Sequence, residues 1–238
     1  IVKGGKQDRV LSVDMILPPM SGVMPISAFC VEQSRWQKRG AESADQFSMT
    51  EMVATHSIKQ AIVDVATQVG VWSEVKASQE KLSDALPQNI RSADSPTSLP
   101  LALENGVVQE SAAPYLRELS WLGHSSTDVI GFAFAIDDEW KGADVYSSNE
   151  LFKRLWPRLL KAAAVEAIAT PKRVSNPLPI ETVGAFLVNS ELGLETVRDI
   201  NVRTRSAERS TDNALFLESR DMDYHDAWVH RSYLARKQ

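Results

Sequence analysis

Apolar residues recur at every second position near both ends of this chain and at every third or fourth position in its middle, which admits strands at the ends and helices between them. Leu11, Val13, Met15 and Leu17 alternate with Ser12, Asp14 and Ile16, the pattern of a half-buried strand. A second run, 23–31, follows Pro18, Pro19, Met20, Ser21 and Gly22, a five-residue loop that suits a hairpin. Pairing Leu17 with Val23 sets Arg9 opposite Val31, Asp8 opposite Glu32 and Gln7 opposite Gln33, within about two residues. The polar stretches 6–9 and 32–36 are therefore expected to meet.

Ile58, Ala61, Ile62, Val65, Ala66 and Val69 form the stripe of a core-facing helix, and Trp72, Val75, Leu82 and Leu86 predict a second one after Gly70. The stretch 87–105, rich in Pro, Ser and Asn, reads as a long surface loop. Tyr115, Leu116, Leu119 and Leu122 mark a short helix, and 129–136 with 140–146 make a hairpin around Asp137, Asp138 and Glu139. Ser147 and Glu150 form a capping box ahead of the helical stripe from Leu151 to Ala163, which Pro157 is expected to kink or break. Strands are predicted at 182–189, 195–205, 213–218 and 224–234. The expected fold is α+β, with antiparallel sheets from the N- and C-terminal strands packed on three to four central helices, as a single domain over 1–238.

The 238 residues, 43% of them hydrophobic, are enough for a substantial core. A formal charge of −5 without blocks of like charge points to neither nucleic acid nor an anionic membrane. Cys30, the only cysteine, leaves no internal disulfide and fits a reducing, cytoplasmic setting. No apolar run approaches the roughly 18 residues of a membrane span.

The common chemical signatures are missing. Gly4, Gly5 and Lys6 lack the phosphate-loop spacing, and no Gly-x-Ser-x-Gly elbow occurs. Cys30 lies in an apolar strand, as a buried structural thiol does. His56, His124, His225 and His230 form no familiar metal-ligand pair, so neither a metal nor a cofactor is expected. Arg198, Arg203, Arg205 and Arg209 could gather an anion, but Glu195, Asp199 and Glu208 interleave with them as on a solvated face. The hairpin junction differs: Lys6, Gln7, Asp8, Arg9, Glu32, Gln33, Arg35 and Trp36 bring cations, carboxylates, amides and a flat ring together. Such a set suits a polar ligand with a planar part, with Arg on its anionic group and Trp on its ring. The plainer alternative is an ion-pair cluster that fixes the hairpin while Trp36 plugs the core.

At these residues the chain resembles the ARG and rhodanese-phosphatase-superfamily-associated protein domain family. The resemblance rests on GKQDRVL at 5–11, CVEQSRW at 30–36, QVGVW at 68–72, GADVY at 142–146 with the helix after it, and VHRSY at 229–233. The family pattern has Asn where this chain has Asp8 and Gly where it has Ser34, which adds a negative charge and removes backbone freedom beside Arg35. Family members carry sequence before the GKQ element, so an N-terminal segment is expected to precede Ile1. The name implies a place near ADP-ribosylglycohydrolases, and so near ADP-ribose or NAD metabolism, without implying a reaction.

Three readings of function follow. The first is a ligand-binding or accessory domain that takes a nucleotide-like or other polar anion through the junction residues. The second is a hydrolase-type enzyme with Glu32 as general base or metal ligand and His230 as its acid or base partner. The third is a structural module that assembles as a homo-oligomer without a ligand.

Overall fold

A computed structural model of the chain describes residues 1–171, 173 and 176–236. It is an α+β protein with two antiparallel sheets, and its contacts divide it into two compact units. The first comprises Ile1–Ser12, Ser27–Trp121 and Trp156–Pro171; the second comprises Val13–Ile26, Leu122–Leu155 and Lys172–Gln238.

In the first unit, β1 (Val2–Gly4), β2 (Arg9–Leu11), β3 (Ala28–Cys30) and β4 (Phe47–Met49) form a small sheet in the order β3-β2-β1-β4. The predicted hairpin exists, but only three residues of each strand pair: Arg9 faces Cys30, Val10 faces Phe29 and Leu11 faces Ala28. The register is one residue from the sequence expectation. Residues 13–26 leave the pair altogether, because their polar groups find partners on the other sheet: the Ile16 amide donates to Thr204 Oγ1 at 2.7 Å.

The helices of this unit are α1 (His56–Gln60), which runs into a π-helical turn Ala61–Val65, α2 (Gln68–Ala85), α3 (Leu99–Leu103), α4 (Gly106–Leu119) and the later part of α5 (Asn149–Ala169). The break between the first two helices falls before Gly70, at Ala66 in the left-handed region and Thr67, whose side chain accepts from the Gly70 amide. The stretch 87–105 is not all loop: Ser98 caps α3, and Leu99, Ala102 and Leu103 enter the core with Val10, Val31, Ile58, Val71, Val75, Leu82 and Val108. Pro157 sits inside α5 without ending it, and Ser148 rather than Ser147 supplies the hydroxyl at its start, accepting from the Leu151 amide.

The second unit is built on β5 (Gly131–Ile136), β6 (Glu139–Tyr146), β7 (Glu195–Asp199), β8 (Thr204–Ser210), β9 (Ala214–Asp221) and β10 (Ala227–Ala235), in the order β5-β6-β10-β9-β8-β7. The segment predicted as a strand at 182–189 is instead α6 (Thr182–Ser190). It lays Phe186 and Leu187 on Ala143, Phe216 and Tyr233. A short apolar run with β-branched residues fits either element by pattern, and packing against the sheet face decides for the helix.

Gly131 on β5 lies so close to β6 that an added Cβ would meet the Asp144 carbonyl oxygen at 2.5 Å. Since that neighbour is backbone, Gly131→Ala is expected to destabilise by about 1–3 kcal/mol in urea unfolding.

Candidate functional site

The small hairpin turns the polar residues flanking β2 and β3 inward, and the result is a sealed ion cluster. Gln7, Asp8 and Glu32 are 0% exposed, and Arg35 and Arg39 are 9% exposed. Arg39 Nη1 donates to Asp8 Oδ2 at 2.9 Å and to Glu32 Oε1 at 3.1 Å, and Arg35 Nε donates to Glu32 Oε1 at 2.6 Å. The Asp8 amide donates to Glu32 Oε2 at 2.9 Å. Two serines from the chain after α2 complete the set: Ser95 Oγ donates to Glu32 Oε1 at 2.5 Å and Ser98 Oγ to Asp8 Oδ2 at 2.6 Å. Beside them Cys30 donates its thiol hydrogen to Gln7 Oε1, while the Gln68 side chain pairs with both backbone groups of Cys30.

Two carboxylates and two guanidiniums balance in charge, and every carboxylate oxygen is used. Burial pushes the Glu32 carboxyl upward, but hydrogen bonds from Arg35, Ser95 and the Asp8 amide outweigh it and hold the group below the usual carboxylate range. Burial likewise opposes the Arg39 charge, and the bonds to Asp8 and Glu42 reverse the effect and raise it. These are the surroundings of a structural carboxylate; a general base needs an open lone pair and a raised pKa. Ser34, where the family pattern has Gly, takes φ +71°, so a side chain is carried in the left-handed region beside Arg35. Arg39 matches the extra charge of Asp8.

Of the residues singled out in the sequence, Gln7, Asp8, Glu32 and Arg35 are thus brought together out of contact with solvent. Arg9 is half-buried, Lys6 and Gln33 are exposed, and Trp36 is 69% exposed and plugs no core. His230 belongs to the second unit, where its partners are Asp14 and Asp144. Among the C-terminal arginines, Arg203 pairs with Asp221, Arg205 with Asp199 and Asp226, and Arg209 with Glu195.

An open groove of the first unit lies beside the cluster. It has a volume of about 180 Å³ and is lined by Gln33, Trp72, Lys76, Gln79, Arg91 and Thr97, with Val75 and Pro96. Helical spacing puts Trp72, Lys76 and Gln79 on one face of α2. The opposite wall is the stretch that carries Ser95 and Ser98, fastened by Thr97 Oγ1 to the Gln33 carbonyl at 2.7 Å and by Gln79 Nε2 to the Ser98 carbonyl at 3.1 Å. Among the described residues Lys76 and Arg91 pair with Glu80, at 3.8 and 3.7 Å, beyond hydrogen-bonding distance. The buried Trp72 Nε1 has no hydrogen-bond acceptor among the described residues. The sequence pattern singles out none of Arg39, Ser95, Ser98, Lys76 and Arg91, and marks Trp72 only as part of a helix stripe and of the QVGVW element. The α2 stripe was the available signal, since a Lys and a Gln sit on the same helix face as Trp72.

Together these features define an α+β protein with a locked hairpin in one unit and a charge-latticed sheet in the other. The chain belongs to the ARG and Rhodanese-Phosphatase-superfamily-associated Protein domain family, whose model matches residues 1–234. Neither a curated protein nor a solved structure matches it.

Removing one member of a buried charge set strands its partners, so Arg39→Ala is expected to lose about 3–5 kcal/mol in denaturant unfolding. Because the Glu32 pKa is depressed in the fold, its contribution is present above its ordinary value near 4.5 and is lost as pH falls through the lower folded value. Acid titration of the unfolding free energy, followed by far-ultraviolet circular dichroism, reads that loss.

Proposed function

We propose that this chain is a ligand-binding domain that recognises the anionic end of a small polar molecule in the groove between α2 and the 91–97 stretch. The observation that carries the reading is that two cations, Lys76 and Arg91, each held to Glu80 only at 3.7–3.8 Å, line one concave site together with the Trp72 side chain. A phosphate or carboxylate supplies both charge and acceptor oxygens, and the indole and methylene stems line the rest.

The groove is smaller than the roughly 300 Å³ lower bound of drug-sized pockets, so it takes a terminal group while the remainder of a larger ligand lies outside. ADP-ribose and related compounds stand first among candidates because the family's name associates it with ARG proteins, taken as ADP-ribosylglycohydrolases. The buried cluster has the supporting role in this reading: it holds both ends of the groove wall through Glu32 and Asp8, so little ordering is left to be done on binding.

Calorimetric titration with ADP-ribose, NAD, ribose 5-phosphate and inorganic phosphate tests the proposal. At least one is expected to bind, with affinity at least tenfold weaker in Arg91→Ala and Lys76→Ala and falling with added salt. Absence of binding by all four, or binding unchanged in both variants, would refute it.

A further inference from the structure

The second unit carries a histidine whose protonation state is legible from geometry. His230 lies on β10, with Nδ1 at 2.5 Å from Asp14 Oδ2 and Nε2 at 3.0 Å from Asp144 Oδ1. A neutral imidazole has one N–H, whereas two flanking carboxylates each require a donor, so the ring here is the imidazolium. It stacks on Tyr146 with ring centroids 4.4 Å apart and planes within 3°.

The groups facing the ring are Asp144 and Tyr146 from β6 and Asp14 from the segment 13–26; Ser219 of β9 donates to Asp14 Oδ2 at 3.0 Å. Burial opposes the charge, but the two carboxylates prevail and raise the His230 pKa to about 9.

Residues 13–26 reach the sheet through Asp14 and through the Ile16 backbone, which meets Thr204 and Asn201. Beyond them Leu17, Met20, Val23 and Ile26 are exposed, Met20 and Val23 completely. The segment contains no ionisable residue after Asp14. The bond from Asp14 to the imidazolium is thus a charged attachment of this segment to the sheet.

We propose that residues 13–26 form a strap latched to the six-stranded sheet by the His230 imidazolium, and that loss of this latch frees the strap and uncovers an Asp144–His230 pair. In the latched form both ring nitrogens are occupied. Once the Nδ1 proton is lost, Asp144 still accepts from Nε2 and orients the ring, while Nδ1 becomes a bare acceptor beside Ser219. The latch contributes fully below the ordinary histidine pKa near 6.5, weakens above it and is gone as pH rises through about 9. Nothing in this inference depends on the groove of the first unit.

Two readouts on the whole chain test it. Hydrogen exchange followed by mass spectrometry measures protection of 13–26, and diethyl pyrocarbonate, which acylates a free imidazole nitrogen, measures access to His230 against the exposed His225. Asp14→Asn leaves the sheet intact and removes only the outer carboxylate. It is expected to speed exchange in 13–26 at least tenfold at pH 7, leave β9 and β10 protected, and make His230 react at a rate nearing that of His225. In the unaltered protein His230 is expected to resist acylation at pH 7 and the strap to exchange faster, after correction for intrinsic rates, above pH 9. Strap exchange in Asp14→Asn within twofold of the unaltered protein, or His230 reacting as fast as His225 without any substitution, would overturn the proposal. His230→Gln serves as a second variant: it keeps a donor without the charge, and strap protection equal to that of the unaltered protein would also overturn it.

Discussion

The arrangement of the first unit depends on one buried set of charges: Asp8 and Glu32 with Arg35 and Arg39. Ionised groups this far from water are tolerated only when each is paired and its remaining hydrogen-bonding capacity filled. That requirement fixes more than the hairpin. Asp8 reaches Ser98, Glu32 reaches Ser95, and Arg35 Nη1 donates to the Gly5 and Gln37 carbonyls, so three separate stretches of chain are held to one another through side chains. The strands themselves, three residues each, could not do this; an isolated pair that short is marginal in water.

The cluster also explains why the groove is where it is. Gln33 follows Glu32 directly, and Thr97 lies between the two serines that bind the carboxylates. Polar side chains next to a rigid ion network project outward with little freedom, which is the condition for recognising a ligand at low entropic cost. The charges that anchor are separate from those at the groove: Arg35 and Arg39 are consumed internally, while Lys76 and Arg91 line the groove. In the second unit the same division holds. Glu218 is buried against Arg220 and Arg231, whereas Arg205, Asp199 and Asp226 pair at the surface.

The sequence made the hairpin legible because strand alternation and a turn-forming loop constrain register tightly; the observed pairing is one residue away. It made the meeting of Asp8 with Glu32 legible for the same reason. It could not show that the meeting point is sealed, because the residues that seal it are distant: Ser95 is 63 positions from Glu32 and Ser98 is 90 from Asp8. Arg39 lies beyond the last paired residue, where register no longer constrains position. The strand reading of α6 failed because Thr182, Val183, Phe186, Leu187 and Val188 have no polar stripe to reveal a helical period. The flanking stretch 87–105 concealed α3 because its composition is that of a loop, and only burial of Leu99, Ala102 and Leu103 makes it a helix.

If the buried cluster supports and the groove recognises, two indole resonances separate those roles. Trp72 lines the groove, whereas Trp36 sits at the surface after the CVEQSR run. In a nitrogen–proton correlation spectrum titrated with ADP-ribose and with ribose 5-phosphate, the Trp72 indole N–H is predicted to shift saturably while that of Trp36 stays fixed. A saturable shift of Trp36 together with the amides of Lys6 and Arg9, with Trp72 unmoved, would contradict the account.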